Sequence, residues 1–218
     1  MNEASVSGYI PSRGALAPWE AAFKRALDLS IASVAVVLLS PLLLVLALMI
    51  SLTSSGGIFY RQTRHGLDKR RFDIWKFRSM YVDQCDHRSS DRINQAVEND
   101  PRVTPIGRLI RRTSLDELPQ IFNVLAGDMS LVGPRPHAIA EDEYFSKLVA
   151  DYEGRFRVKP GITGLAQIEG YRGEITSVEF MQSRIQKDNE YVEGYFPMKD
   201  LIILVRTPLA LLGSRGAY

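Results

Sequence analysis

Hydrophobic and polar positions are spaced in several different ways along this chain, and each spacing predicts a different element. From Leu29 to Leu52 there is no polar stripe: "LSIASVAVVLLSPLLLVLALMISL" contains no charged residue. At about 1.5 Å of rise per residue, roughly 20 residues cross a hydrocarbon core about 30 Å thick, so the run is long enough to enter a membrane. A soluble core helix of this length would carry a polar face. A signal peptide fits poorly, because the run is too long and no small-residue cleavage site follows it. Ser40-Pro41 interrupts the run near its middle, where a proline removes a backbone hydrogen bond and kinks a helix. Basic residues flank both ends, Lys24 and Arg25 before and Arg61, Arg64, Lys69, Arg70 and Arg71 after. Both ends are therefore drawn to the cytoplasm. A hairpin that dips in and returns, and an ordinary span with a tolerated proline, are both open on this pattern.

Elsewhere the periods are shorter. Residues 1–22, with Gly8, Pro11, Gly14 and Pro18, read as a loose tail. After the break at Ser54-Ser55-Gly56-Gly57, two β-prone pieces, Ile58 to Gln62 and Arg71 to Phe77, flank a Gly66-Leu67-Asp68 turn and predict a hairpin. Residues 81–104 are polar and read as a loop. Apolar residues then recur with helical spacing from Ile106 through Leu118 and again from Ile121 to Leu125, with Pro119 dividing two helices. "PHAIAEDEYFSKLVADYEGRF" reads as one amphipathic helix, "VKPGITGLAQIEGYRG" as a glycine-rich loop, and "SVEFMQSRIQKDNEYVEGY" as a further helix. The closing "MKDLIILVRTPLALLGSRG" predicts a helix lying at a membrane interface. The class is α+β, mainly helical.

Composition narrows the function. The chain has 218 residues, enough for one domain or one domain with an appendage. Its 27 basic and 25 acidic residues nearly cancel, which excludes nucleic acid as the partner. The single cysteine, Cys85, allows neither an intrachain disulfide nor a CxxC metal site. His65, His87 and His137 are too scattered for a histidine metal site, and Glu141, Asp142 and Glu143 read as a solvated helix face. Trp19 reads as an interface residue.

One stretch stands apart: "SLDELPQIFNVLAGDMSLVGPRP", Ser114 to Pro136. Asp116 and Glu117 are adjacent carboxylates, which repel, and Arg135 sits between two prolines on a stiff, non-helical backbone. Lys76, Arg78, Arg108, Arg111, Arg112 and Arg135 supply cations around the pair. Carboxylates ringed by cations suit a polyphosphate: arginines hold the non-bridging oxygens, one carboxylate takes a divalent ion such as Mg²⁺, and the other is free to attack phosphorus. A surface helix laced with salt bridges is the alternative, and the rigid Pro-Arg-Pro argues against it. Asp128 reads equally as a turn residue or as a support for the pair.

These residues resemble the signature of the bacterial polyprenyl-phosphate phosphoglycosyl transferases, monotopic membrane enzymes that start glycan assembly. Three further blocks resemble the same family in the same order: "FKRALDLSIASVAVVLLSPLLLVLALMI", "GGIFYRQTRHGLDKRRFDIWKFRSM" and "VKPGITGLAQIEG". The resemblance implies a re-entrant membrane helix over 23–54, broken at Ser40 and Pro41. A cytoplasmic domain over 55–218 follows, and the short tail makes this a minimal form. It implies Asp116 as nucleophile, Glu117 as Mg²⁺ ligand, and Lys76, Arg111 and Arg135 as phosphate contacts. Thr163, Gln167 and Arg172, in the glycine-rich block, would touch nucleotide or sugar. The implied substrates are a UDP-sugar, with "EGYRGE" nearest to relatives using UDP-glucose or UDP-galactose, and undecaprenyl phosphate at the cytoplasmic face of the bacterial inner membrane. A homodimer is left open. A Mg²⁺-dependent lipid diphosphate phosphohydrolase and a membrane-anchored scaffold are the rival readings.

Overall fold

The apolar run forms one long helix, α1 (Pro18–Thr53), in the computed structural model, which describes residues 16–82, 100–173 and 175–213. The predicted tail up to residue 15, most of the predicted 81–104 loop, Cys85 and His87 lie outside the described residues. Glu20 opens α1 by accepting the backbone N–H of Ala17 at 2.9 Å. The most apolar 18-residue window has a mean hydropathy of 2.8, and the helix is long and apolar enough to cross a membrane. Pro41 cannot donate to the carbonyl of Val37. The Ser40 hydroxyl takes its place, donating to Val37 O at 2.8 Å, so the helix passes the proline without an orphaned acceptor.

Both halves of α1 rest on the same body of protein. Before Pro41, Ala32 is fully buried among Ile121, Val124, Val132 and Ile203. Beyond it, Leu46 and Ile50 pack on Phe77, Ile106 and Ile110. The other face leaves Val34, Val37, Leu38, Leu44, Val45 and Leu48 exposed. A stripe that long and apolar suits lipid rather than water.

Charged groups fix the first half of α1. The Lys24 ammonium donates to Asp200 Oδ2 at 2.6 Å, to the carbonyl of Val132 at 2.8 Å and to the Tyr191 hydroxyl at 3.0 Å. Asp28 accepts from the Leu131 N–H at 2.9 Å and the Ser130 hydroxyl at 3.0 Å. These bonds hold β3 (Ser130–Val132), which leads directly into Gly133-Pro134-Arg135.

The hairpin is present, β1 (Phe59–His65) antiparallel to β2 (Arg71–Phe77), with Phe59 opposite Phe77 and His65 opposite Arg71. Its first strand runs three residues past the predicted Gln62. A 3-10 turn over Leu67–Lys69 closes it.

Downstream the structure departs from the sequence pattern in three places. The helix predicted through Leu118 stops as α2 (Pro105–Arg112); Ser114 turns left-handed at φ 59°, and Leu115–Glu117 form a separate 3-10 turn before α3 (Gln120–Ala126). The 136–156 helix is only α4 (Ile139–Phe145), broken by Asp151 at φ 56° and followed by a 3-10 segment Tyr152–Arg157. There Tyr152, Arg155 and Phe156 are all buried. The supposed loop contains β4 (Gly161–Thr163), parallel to β3, and α5 (Leu165–Ile168). Gly133 and Gly161 make that pairing possible, since a Cβ on Gly161 would lie 2.1 Å from the Gly133 nitrogen. The closing helices, α6 (Val178–Glu193) and α7 (Pro197–Gly213), follow the predicted pattern.

Candidate active site

The left-handed Ser114 and the 3-10 turn after it set Asp116 and Glu117 on a tight bend rather than on a continuous helix. Lys76 reaches them from β2. The Asn123 side chain fixes that strand's outer edge: Oδ1 accepts the Trp75 N–H at 3.0 Å and Nδ2 donates to Asp73 O at 2.8 Å. Arg135 arrives from the opposite side. Its frame is held by backbone bonds, Gly133 N to Thr163 O at 2.8 Å and Gly161 N to Pro134 O at 2.9 Å, and by an Arg155 guanidinium donating to Arg135 O.

The two carboxylates are treated differently. Glu117 is buried; Lys76 Nζ donates to its Oε1 at 2.9 Å, and Arg135 grips both oxygens, with Nη1 to Oε2 at 3.0 Å. That is a bidentate fork, the geometry only arginine provides. Burial pushes the Glu117 carboxyl up, but Arg135 and then Lys76 outweigh it and hold the group well below the usual carboxylate range. Asp116 has no hydrogen bond or ion pair among the described residues. Burial raises its pKa to about 6, helped by the Glu117 charge next door, while Lys76, Arg111 and Arg135 pull the other way. Asp116 is thus a carboxylate with open oxygens in a positive field.

Arg111 approaches from the last turn of α2 and acts on Asp116 through charge. Thr163, Gln167 and Arg172 come together with Glu117 around one pocket of about 330 Å³. Arg172 Nη2 donates to the Ser114 hydroxyl at 2.5 Å, at the edge of the dyad bend. Asp128 is exposed, and its N–H bonds the Asn123 carbonyl, so it is a helix-end residue. The expected solvated face at Glu141 and Asp142 is instead buried, at 8% and 3% exposure. Asp142 accepts from Tyr152 at 2.8 Å and bonds His65 at 2.8 Å; burial and neighbouring arginines, Arg155 first, keep His137 neutral.

Sequence reasoning missed Lys24, Asp28, Asn123 and Arg155, which do not line that pocket and act by holding β2, β3 and the Arg135 loop. A polar Asn123 inside the apolar "QIFNVL" was the one visible signal.

Among the described residues no group of three acidic, histidine or cysteine side chains forms a metal cage. Mg²⁺ does not need one: it is commonly held by one or two carboxylates with substrate phosphate and water completing the shell. Asp116 and Glu117 fit that donor set.

A carboxylate with free oxygens, set among Lys76, Arg111, Arg135 and Arg172 beside a helix long and apolar enough to cross a membrane, has the surroundings that suit an anionic phosphate. The chain belongs to the bacterial sugar transferase family, whose model matches residues 19–214. It is 47% identical over 196 residues to a UDP-glucose:undecaprenyl-phosphate glucose-1-phosphate transferase of Klebsiella pneumoniae, covering 90% of this chain and 41% of that protein. A protein of the same description from Caulobacter vibrioides is 47% identical over 195 residues, covering 89% of this chain and 72% of the relative. The exopolysaccharide production protein PSS of Rhizobium leguminosarum bv. phaseoli is 42% identical, covering 88% and 96%. The chain spans about two fifths of the length of the Klebsiella relative and of several further curated relatives.

Proposed function

We propose that this chain transfers a hexose-1-phosphate, glucose-1-phosphate first among the candidates, from a UDP-sugar to undecaprenyl phosphate. The observation that carries the reading is the division of labour in the dyad: Glu117 is locked by Lys76 and Arg135, and Asp116 is open. Asp116 Oδ attacks the sugar-bearing phosphorus, the bond to the UMP phosphate breaks, and UMP leaves with the electron pair. An oxygen of the lipid phosphate then attacks the same phosphorus and releases the Asp116 carboxylate. Arg135, Lys76 and Arg111 hold the non-bridging oxygens and offset the charge that an anionic nucleophile meets. Mg²⁺, held by Glu117 and the substrate phosphates, would supply further neutralisation of the diphosphate. The names of the Klebsiella and Caulobacter relatives support this donor and acceptor.

The same reading places the site on the cytoplasmic side of the inner membrane, where a UDP-sugar is available, with α1 re-entrant. Support comes from Lys24 and Ile50, on opposite sides of Pro41, both packing against the one domain. A membrane-impermeant thiol reagent applied to intact cells tests this, with a cysteine replacing Ser12 in a Cys85→Ser background: re-entry predicts no labelling, and labelling from outside means an ordinary span. For the activity, a panel of UDP-sugars with and without polyprenyl phosphate is read by UMP release. Release in step with glycolipid is expected; steady release of phosphate without glycolipid identifies a phosphohydrolase instead.

A further inference from the structure

The pocket beside the dyad has a lining that a nucleotide does not call for. Leu115, Leu118 and Ile121 form one wall, Ile162 and Ile168 the next, and Thr207 and Ala210 of α7 close the third. No aromatic ring lines it, so a base would find nothing to stack on. Its hydroxyls and amide are largely engaged with each other and with backbone: Thr163 Oγ1 shares a hydrogen bond with Thr207 Oγ1 at 2.8 Å, Thr207 donates to Ile203 O, and Gln167 Nε2 donates to Ile162 O at 3.0 Å. Gln167 Oε1 is buried without a hydrogen-bond partner, and it lies against the Gly164 backbone.

The α7 wall says where an apolar occupant would come from. On a helix of 3.6 residues per turn, Thr207 and Ala210 face inward while Met198, Ile202, Val205 and Leu209 lie on the outer side, all exposed. One helix thickness, about 10 Å, therefore separates the pocket from an apolar stripe of the kind that rests in a membrane interface. Arg172 and Glu117 stand at the polar end of the same pocket, next to Asp116.

We infer that this pocket binds the first isoprene units of the polyprenyl acceptor, with Arg172 at its rim facing the acceptor phosphate. This rests on the reading above, with Thr163 and Gln167 serving the lipid rather than the nucleotide. The volume suits the start of a chain; the remainder stays in the bilayer along α7. A pocket that grips only those units lets the phosphate approach Asp116 from the membrane side, while the UDP-sugar arrives from water and its UMP departs the same way.

The test separates the two half-reactions of the full-length chain in detergent. Exchange of labelled UMP into UDP-glucose without lipid reports the first; transfer to polyprenyl phosphates of increasing length reports the second. Ala210→Trp and Ile168→Trp fill the pocket. Exchange should persist within about twofold, while KM for undecaprenyl phosphate rises by about tenfold or more and the parent's preference for longer chains flattens. Loss of exchange together with transfer would assign the pocket to the nucleotide and overturn the inference. Unchanged kinetics in both would overturn it too. A parent that shows no exchange at all refutes the underlying reading, not the pocket. Should the variants fail to fold, a polyprenyl phosphate with a diazirine on its first isoprene unit decides the matter in the parent. Crosslinks should map to Leu118, Ile162 or α7, and crosslinks confined to α1 would contradict the inference.

Discussion

Two clusters of carboxylates and arginines lie close together in this molecule, and they are made of the same residue types. In one, Asp142 uses both oxygens, one toward His65 and one toward Tyr152, with Arg155 and Asp188 completing a buried network. In the other, Glu117 accepts from Lys76 and Arg135, and Asp116, between the pocket residues Leu115 and Glu117, uses neither oxygen among the described residues. In the first cluster the fold engages both oxygens of Asp142, while the buried Asp188 is ion-paired to Arg155 at 3.2 Å through an oxygen that makes no hydrogen bond among the described residues. The second keeps one acidic group back. Residue type does not distinguish the two clusters; exposure does, since Asp188 is buried and Asp116 is half-buried. The clusters are also joined, because Arg155 donates to the backbone of Arg135 and so braces the second cluster from the first.

Substitutions on each side of that comparison should separate by what they damage. Glu117→Gln removes the charge that both Lys76 and Arg135 hold, so activity should fall by about a thousandfold or more, with binding of Mg²⁺ weakened and the fold kept. Steady-state kinetics over a Mg²⁺ series checks this, and a small loss restored by excess Mg²⁺ would place the metal elsewhere. Arg155→Met in the first cluster should instead act on stability, at about 3–5 kcal/mol, since it strands the buried Asp188. A denaturant midpoint close to the parent's would contradict this.

Smaller effects sharpen the picture. Arg135→Lys keeps the charge but loses the fork onto Glu117, and kcat/KM should drop by about 10- to 100-fold with little change in stability. Kinetics matching the parent would reduce Arg135 to diffuse charge. The pH profile comes last. Asp116 must be ionised to attack, and its pKa is raised to about 6, so kcat/KM should rise with pH and level off above that value. Below it the rate should fall by about tenfold per pH unit. Stability carries the opposite sign: a raised carboxyl pKa favours the protonated fold, so ionising Asp116 costs stability as pH rises from 3.8, the ordinary aspartate value, to about 6. Asp116→Asn, which cannot ionise, should therefore melt at or above the parent's temperature at pH 7, and a lower melting point would contradict the shift.

Much of this could be read from the chain. The long apolar helix announced itself by lacking charge over 24 residues, the hairpin by two β-prone runs around a Gly66 turn, and the dyad by two neighbouring acids followed by a caged arginine. The interruptions could not be read, because they depend on tertiary partners. "AEDEYFSKLVADY" has helical spacing, and nothing local says that Tyr152 and Arg155 will leave the helix to bond Asp142 and Arg135. β3 and β4 are three residues each and become strands only by pairing across a Gly133–Gly161 contact 28 positions apart. The exposed stripe on α1 and the Ser40 hydroxyl on Val37 were legible in kind, since a proline in an apolar helix needs a nearby donor. Their placement against one domain was not.

The central claim is that the open carboxylate, not the ion-paired one, forms the bond to phosphorus. The direct measurement is intact-protein and peptide mass spectrometry after incubating the full-length chain with UDP-glucose and Mg²⁺ and no lipid acceptor. The account predicts a hexose-phosphate adduct on the peptide carrying Asp116, discharged on adding undecaprenyl phosphate, and absent from Asp116→Asn while still formed, more slowly, in Arg135→Lys. An Asp116→Asn protein that still acquires the adduct, or an adduct mapped to Glu117, would contradict it.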